Sequence, residues 1–267
     1  MKIKAFAKIN LGLKILNKRN DGFHNIETIF HRINLFDEIE IIKTKSGIAI
    51  EVLNFEAINN ESNLCYKAAK LLKEYGNVKS GVLIKLKKNI PIGAGLGGGS
   101  SDAATVLLGL KKIWNLKISE MELKNMALKL GSDVPYFLKT GSAIAKSRGE
   151  DLKYFKMIFP YIILVVNPGV HVSTSWAYKK LSENKKRRMN NLEDLDFKKL
   201  ENDFEQIVFK KFPEIKEIKT KLLKNKAVAT LLSGSGASVF GLFKNKKDAI
   251  IAKNKFYCFT SLTNKYF

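Results

Sequence analysis

Acidic residues are scarce in this sequence. Asp and Glu number 25 against 47 Lys and Arg, leaving a formal charge of +22 over 267 residues. Read literally, that imbalance selects a polyanionic partner such as nucleic acid. The lysines are scattered, however, and Lys, Asn and Ile are abundant together, so a bias in coding composition accounts for the charge without a functional cause. The densest run, Lys179 to Arg188, holds Lys179, Lys180, Lys185, Lys186, Arg187 and Arg188 with Glu183 among them. It reads as a solvated loop; the other readings are specific RNA binding and a field that gathers an anionic substrate. Cysteine is nearly absent. Cys65 and Cys258 lie far apart without metal-ligand spacing, so they read as two buried free thiols, the alternatives being a disulfide or a metal site. Long apolar runs are missing too, none reaching the ~18 residues of a membrane span. The first residues, Met-Lys-Ile-Lys-Ala-Phe-Ala-Lys, have the wrong character for a signal peptide. The expectation is a cytoplasmic protein with no membrane and no nucleic-acid partner.

What the sequence does have is glycine, concentrated in one place. Residues Pro91, Ile92, Gly93, Ala94, Gly95, Leu96, Gly97, Gly98, Gly99, Ser100 and Ser101 carry five glycines within seven positions. A helical pattern follows directly, with Ala103, Val106, Leu107, Leu110, Ile113 and Trp114 on one face. Glycines here remove the Cβ atoms that would keep backbone N–H groups from an anion, and they allow positive φ. A helix that starts at the loop points its unpaired N–H groups and its dipole into it. This is the composition of a phosphate cradle; the alternative is a glycine-rich turn without a ligand. Three familiar loops fail on context. A Walker A loop needs Lys-Ser/Thr after its last glycine, where this chain has Ser100-Ser101. Gly93 to Gly98 satisfies Gly-x-Gly-x-x-Gly, but a dinucleotide fold needs a second strand carrying an acid, and a helix pattern begins near Ser119 instead. The protein-kinase loop joins two strands rather than opening a helix.

Along the chain, Ile3, Ala5, Ala7, Ile9, Leu11, Leu13 and Ile15 alternate with polar positions, predicting a half-buried strand. Periodicity alone makes Lys8 a solvated surface lysine. A turn at 17–22 precedes Phe23 and His24, an exposed histidine by position. Extended stretches at 26–35, 39–42 and 48–53 complete an antiparallel N-terminal sheet. A helix over 63–75 and a strand over 82–86 lead to the glycine loop. After the loop helix, Ser119 and Glu122 form a capping box for another helix that Gly131 ends. Asp133 follows, ahead of a Val134 that Pro135 biases to an extended conformation. By position it reads as an ordinary turn aspartate. A second unit begins near Phe155, with a strand over 161–166, helices over 175–181, 197–211 and 213–225, and strands over 227–232 and 237–243. Ser233, Gly234, Ser235 and Gly236 join those two strands as a hairpin turn or a second anion-friendly loop. A helix over 246–256 and an edge strand over 258–262 close an α+β chain.

Three separated stretches carry a resemblance: Ala7-Lys8-Ile9-Asn10-Leu11 with Asp21-Gly22-Phe23-His24, then Pro91 to Ala104, then Gly131-Ser132-Asp133-Val134-Pro135. Ser233 to Ala237 supports them. Together they resemble the 4-diphosphocytidyl-2-C-methyl-D-erythritol kinase family, within the superfamily that includes galactokinase, homoserine kinase and mevalonate kinase. The resemblance implies a domain of the ribosomal-protein-S5 second-domain type over 1–154 and a ferredoxin-like domain over 155–267, with the active site between them. It implies ATP as the donor and a small-molecule acceptor whose hydroxyl is phosphorylated. Lys8 and Asp133 take the catalytic positions and residues 91 to 101 the ATP-phosphate positions; independently of the resemblance, a phosphoryl group in flight needs charge neutralisation, which Mg²⁺ could provide with Ser101 as a candidate ligand. Asn10, Phe23, His24, Phe30, Thr174 and Tyr178, with Ser233, Gly234, Ser235 and Gly236, take the substrate side. Phe23 departs from a tyrosine, Tyr178 from a phenylalanine, and Ser233 and Ser235 from threonines. The rival readings are another kinase of the superfamily and a basic RNA-binding protein with an S5-like fold.

Overall fold

The computed structural model describes residues 1–55, 59–181 and 196–263. It divides into two compact units interleaved along the chain. The first holds Met1–Ala7, Leu35–Ile92 and Gly97–Thr140; the second holds Lys8–Asn34, Gly93–Leu96 and Gly141–Phe267. Two long strands, β1 (Lys2–Lys18) and β2 (His24–Thr44), pair with each other and contribute residues to both units. The sequence separates 26–35 from 39–42, yet β2 runs through without a break. Asp37 in its middle is buried and accepts from the backbone N–H groups of Asn89 and Ile90, so a polar residue that looks like an interruption is satisfied inside the sheet.

In the first unit the end of β2 pairs antiparallel with β4 (Gly81–Lys87), and β4 pairs parallel with β3 (Ile48–Val52). The expectation of a purely antiparallel sheet fails at that pair. Helix α1 (Leu64–Tyr75) stands between β3 and β4 in sequence, and a crossover helix is what a parallel neighbour requires. Helices α2 (Gly98–Ile113) and α3 (Glu120–Leu130) complete the unit, with Val106, Leu107 and Leu110 of α2 buried. Ile113 and Trp114, predicted on the same face, are only partly covered. The capping box forms as expected, with the Glu122 amide donating to Ser119 Oγ at 3.2 Å and the Ser119 amide to Glu122 Oε2 at 2.9 Å.

In the second unit the start of β2 pairs with β5 (Ser142–Lys146), and β5 with β6 (Asp151–Phe155). A separate antiparallel sheet is built from β7 (Ile162–Asn167), β8 (Ala229–Leu232), β9 (Val239–Phe243) and β10 (Phe259–Thr263) in the order β10-β7-β9-β8. Helices α4 (Thr174–Leu181), α5 (Glu205–Lys211) and α6 (Pro213–Lys224) fall between β7 and β8, and α7 (Lys246–Lys253) between β9 and β10. That order is the split βαβ arrangement of a ferredoxin-like sheet. Leu164, Val166, Phe204, Leu222, Val239 and Phe243 share one core.

The helix predicted over 197–211 is broken, with a 3₁₀ turn at Phe197–Lys199 and α5 starting only at Glu205. The intervening residues serve β1 instead: the Leu13 amide donates to the Glu201 carbonyl at 2.8 Å and the Asp203 amide to the Leu13 carbonyl at 3.0 Å. A backbone bridged to a strand cannot also continue a helix. Of the basic run, Lys179 and Lys180 close α4, and residues 182–188 lie outside the described residues. Cys65 is buried as expected, whereas Cys258 is only partly so. No helix among the described residues is long and apolar enough to cross a membrane.

His31 gives this unit a defined acid sensitivity. Its Nδ1 lies 2.9 Å from Ser142 Oγ and its ring stacks on Phe159 at 4.4 Å, and burial pushes its pKa down to about 4. The unfolded chain takes up a proton near pH 6.5 and the folded one does not, so stability is complete above that pH. It should fall as pH drops from about 6.5 to about 4, by up to roughly 3 kcal/mol. Denaturant titrations across that window should show a steeper loss for the wild type than for His31→Gln; equal slopes would exclude His31 as the source.

Candidate active site

The glycine loop turns left-handed three times, at Gly93 (φ 64°), Gly95 (φ 75°) and Gly97 (φ 69°). Gly97 is the N-cap of α2 and offers no side chain to its amides. The helix begins at Gly98, so Ser100 and Ser101 stand in its first turn rather than before it, with the Ser101 amide already donating to the Gly97 carbonyl at 2.9 Å. The leading N–H groups of a 16-residue helix are therefore presented at the loop without a capping side chain.

One glycine is required for another reason than the anion. A Cβ on Gly95 would lie 1.9 Å from the Ser233 carbonyl oxygen. The β8–β9 turn is seated against the loop, with Ser233 Oγ donating to the Gly95 carbonyl at 2.9 Å and the Ser238 amide to the Ala94 carbonyl at 3.2 Å. Ser233 to Gly236 is thus a hairpin turn, as local pattern favours, and its buried Ser233 hydroxyl supports Gly93 to Leu96. The same segment is held by β1, the Lys8 amide donating to the Leu96 carbonyl at 2.9 Å.

Lys8 is not a surface lysine. It is 4% exposed, and β1 is buried at every residue from Ala7 to Ile15. Its Nζ donates to Asn10 Oδ1 at 2.6 Å; Asn10 Nδ2 donates to Thr28 Oγ1 at 3.0 Å; and Thr28 Oγ1 donates to the Gly12 carbonyl at 2.5 Å. The ammonium also stands 4.9 Å from the centre of the Phe30 ring. Alternation places Lys8 and Asn10 on one face, and a buried face is affordable for them because each satisfies the other. Thr28 has no signal in the sequence. Asn10 further approaches the β8–β9 turn, its Oδ1 lying 3.6 Å from where a Cβ on Gly234 would stand.

His24, expected to be exposed, is buried and stacks on Tyr178 with ring centres 5.2 Å apart. Tyr178 is braced edge-on by Phe204 at 4.9 Å. Burial, aided by the charge of Lys18, lowers the pKa of His24, so the ring is neutral at pH 7, and its buried Nε2 has no hydrogen-bond partner among the described residues. Such an orphaned ring nitrogen suits a ligand hydrogen bond. Thr174, at the start of α4, shares a hydrogen bond with Ser235 at 2.9 Å. Phe23, the chain neighbour of His24, is about half exposed and has Arg148 over its ring.

In the first unit Asp133 follows α3 and precedes a 3₁₀ helix at Val134–Leu138. Val134 is helical rather than extended, because Pro135 falls in the first turn, where its missing N–H costs nothing. A charged group that local reading misses lies under the glycine loop in this unit. Lys88 donates to Asp37 Oδ2 at 2.5 Å and to Asp102 Oδ2 at 2.7 Å, all three nearly excluded from solvent. Burial pushes the Asp102 carboxyl upward; burial also opposes the charge on Lys88, but its contacts with Asp102 and Asp37 together outweigh that and raise its pKa. The Lys88 ammonium lies 3.3 Å from the Cβ position of Gly98, so the start of α2 rests on this trio. Asp102 beside Ser101 on a buried helix face is the one hint the sequence offers.

A model of the GHMP kinase N-terminal domain matches residues 63–141, and one of the GHMP kinase C-terminal domain matches residues 179–260. The 4-diphosphocytidyl-2-C-methyl-D-erythritol kinase of Chlorobium chlorochromatii is 44% identical over 264 residues, covering 94% of this chain and 91% of the relative. That of Thermodesulfovibrio yellowstonii is 43% identical, covering 92% and 90%. The chain belongs to the 4-diphosphocytidyl-2-C-methyl-D-erythritol kinases of the GHMP family. A crystal structure of a 4-(cytidine 5'-diphospho)-2C-methyl-D-erythritol kinase superposes with a TM-score of 0.87 at 33% identity, covering 98% of each chain. The mevalonate kinase of Methanococcus jannaschii shares the fold alone, with a TM-score of 0.74 at 16% identity over 100% of this chain and 98% of the other.

The glycine loop and α2 fall inside the matched N-terminal domain. For this kinase the described residues contain no cluster of three His, Cys, Asp or Glu side chains able to hold a metal unaided. A divalent ion that shares its coordination with phosphate oxygens needs fewer protein ligands. Ser101, buried in the first turn of α2, fits that smaller role.

Proposed function

We propose that this kinase transfers the γ-phosphoryl group of ATP to a free hydroxyl of 4-diphosphocytidyl-2-C-methyl-D-erythritol, a step of non-mevalonate isoprenoid biosynthesis. The observation that carries the substrate is the 44% identity sustained over 94% of the chain to a kinase of that name. Phosphoryl transfer asks for positioning and charge neutralisation more than covalent help. The three left-handed glycines at the start of α2 offer backbone N–H groups and a helix dipole to the phosphates of ATP. Ser101 would supply one oxygen to a Mg²⁺ arriving with the nucleotide, which offsets phosphate charge. We assign Asp133 as the base that accepts the acceptor's hydroxyl proton and Lys8 as the cation that neutralises charge at the transferring group. A lysine already desolvated and held by Asn10 needs little reorganisation for that role. Asn10, Phe23, His24, Phe30, Thr174, Tyr178 and the Ser233–Gly236 turn are assigned to the acceptor, with the orphaned His24 Nε2 suited to the edge of a cytosine. Residues 1–154 are assigned as the nucleotide-binding domain and 155–267 as the ferredoxin-like one, in an enzyme of the cytoplasm without a nucleic-acid partner.

Turnover of ATP with a panel of acceptor alcohols tests the reading. Phosphorylation of the cytidyl acceptor, with none of homoserine or mevalonate, is the expected result. Activity on either of the latter alone would move the chain to another member of the superfamily. Absence of turnover together with strongly salt-dependent RNA affinity would favour an RNA-binding protein.

A further inference from the structure

Two arginines outside the groups assigned above converge on Phe23 within the second unit. Arg19 ties together the turn between β1 and β2 and the turn between β5 and β6. Its Nε binds Asp21 at 3.1–3.2 Å, and its Nη1 donates to Asn25 Oδ1 and to Ser147 Oγ, each at 3.0 Å. The Phe23 backbone is fixed at both ends, its amide donating to Asp21 Oδ1 at 3.2 Å and its carbonyl accepting from the Arg19 amide at 2.8 Å. Arg148 then lays its guanidinium over the ring, with the central carbon 4.6 Å from the ring centre. Glu150 steadies Arg148, its Oε2 accepting the Arg148 amide at 2.7 Å and its Oε1 standing 3.7 Å from Nε. Phe23 stays 49% exposed. One ring face is covered, and an apolar ring is held open to solvent at a turn where entropy and water would otherwise disperse it.

We propose that Arg148 is a positioning residue for the acceptor: it fixes the Phe23 ring from one side so that the other face is presented, preordered, to the flat pyrimidine of the cytidyl substrate. This rests on the function proposed above. A cation on one face of the ring fixes its orientation, and a ring that does not have to be ordered on binding loses less entropy when a base stacks on it.

Steady-state kinetics of the full chain with ATP and the cytidyl acceptor test the role. Arg148→Ala should raise the acceptor KM roughly three- to fivefold, the size that a partly exposed cation–π contact supports, with kcat and the ATP KM unchanged. Arg148→Lys, which keeps a cation over the ring, should recover part of the loss. In a Phe23→Ala background Arg148→Ala should add nothing. An unchanged acceptor KM in Arg148→Ala overturns the proposal. So does an undiminished effect in the Phe23→Ala background, which would put Arg148 on some other part of the substrate. If the wild type does not turn over the cytidyl acceptor, the functional reading fails, and that is seen before any variant is compared.

Discussion

Asp133→Asn is expected to lower kcat by about 10²–10⁴-fold, the range that removal of a general base produces, while the ATP KM changes little. The substitution keeps shape and conformation: Asp133 has φ −84° and ψ −15°, which asparagine adopts without strain, and its side chain does not cap the 3₁₀ helix that follows. What it removes is the capacity to accept a proton. Lys8→Ala should cause a comparable loss of turnover with an added structural cost, because Asn10 Oδ1 loses its buried donor; about 1–3 kcal/mol is the usual penalty. Thermal unfolding separates that cost from the kinetic effect. If both residues serve one phosphoryl transfer, the double variant should be far less than multiplicatively worse than either single one. Retention of most turnover by Asp133→Asn, under conditions where chemistry limits the rate, would sink the base assignment. Full additivity with Lys8→Ala would show that the two act separately.

Gly97→Val should weaken ATP binding at least tenfold, equivalent to about 1.4 kcal/mol. At φ 69° a β-branched residue is in a region it almost never occupies, so the variant must re-aim the peptide that caps α2. The N–H groups of the first turn then lose their alignment with the phosphates, along with a dipole contribution of about 0.3–2 kcal/mol. Nucleotide titration by calorimetry is the measurement, with circular dichroism to show that the fold persists. Unchanged affinity in a folded variant would remove the loop from the account. Gly95→Ala is the informative contrast. Its methyl group would collide with the Ser233 carbonyl, so its first effect should be on stability, with a lowered melting temperature even without nucleotide.

Much of this protein was settled by local sequence. The five clustered glycines before an apolar-periodic helix set both the left-handed turns and the start of α2, because φ sterics and amphipathicity act over a few residues. The Ser119–Glu122 box, the end of α3 at Gly131 and the β8–β9 hairpin were legible for the same reason. Contacts between distant segments were not. Lys8 looks solvated because alternation reports only that it faces away from Ala7 and Ile9; the burial of that face depends on Asn10, Thr28 and Phe30, the last two supplied by β2. His24 looks exposed until Tyr178, more than 150 positions later, covers its ring. The break in the predicted 197–211 helix comes from Leu13, and the reason for Gly95 from Ser233. Periodicity and turn chemistry fix which backbone a segment adopts. Which polar groups become buried, and with what partners, is decided only when segments far apart in sequence meet, since the cost of desolvating them is offset by groups that the local sequence does not contain.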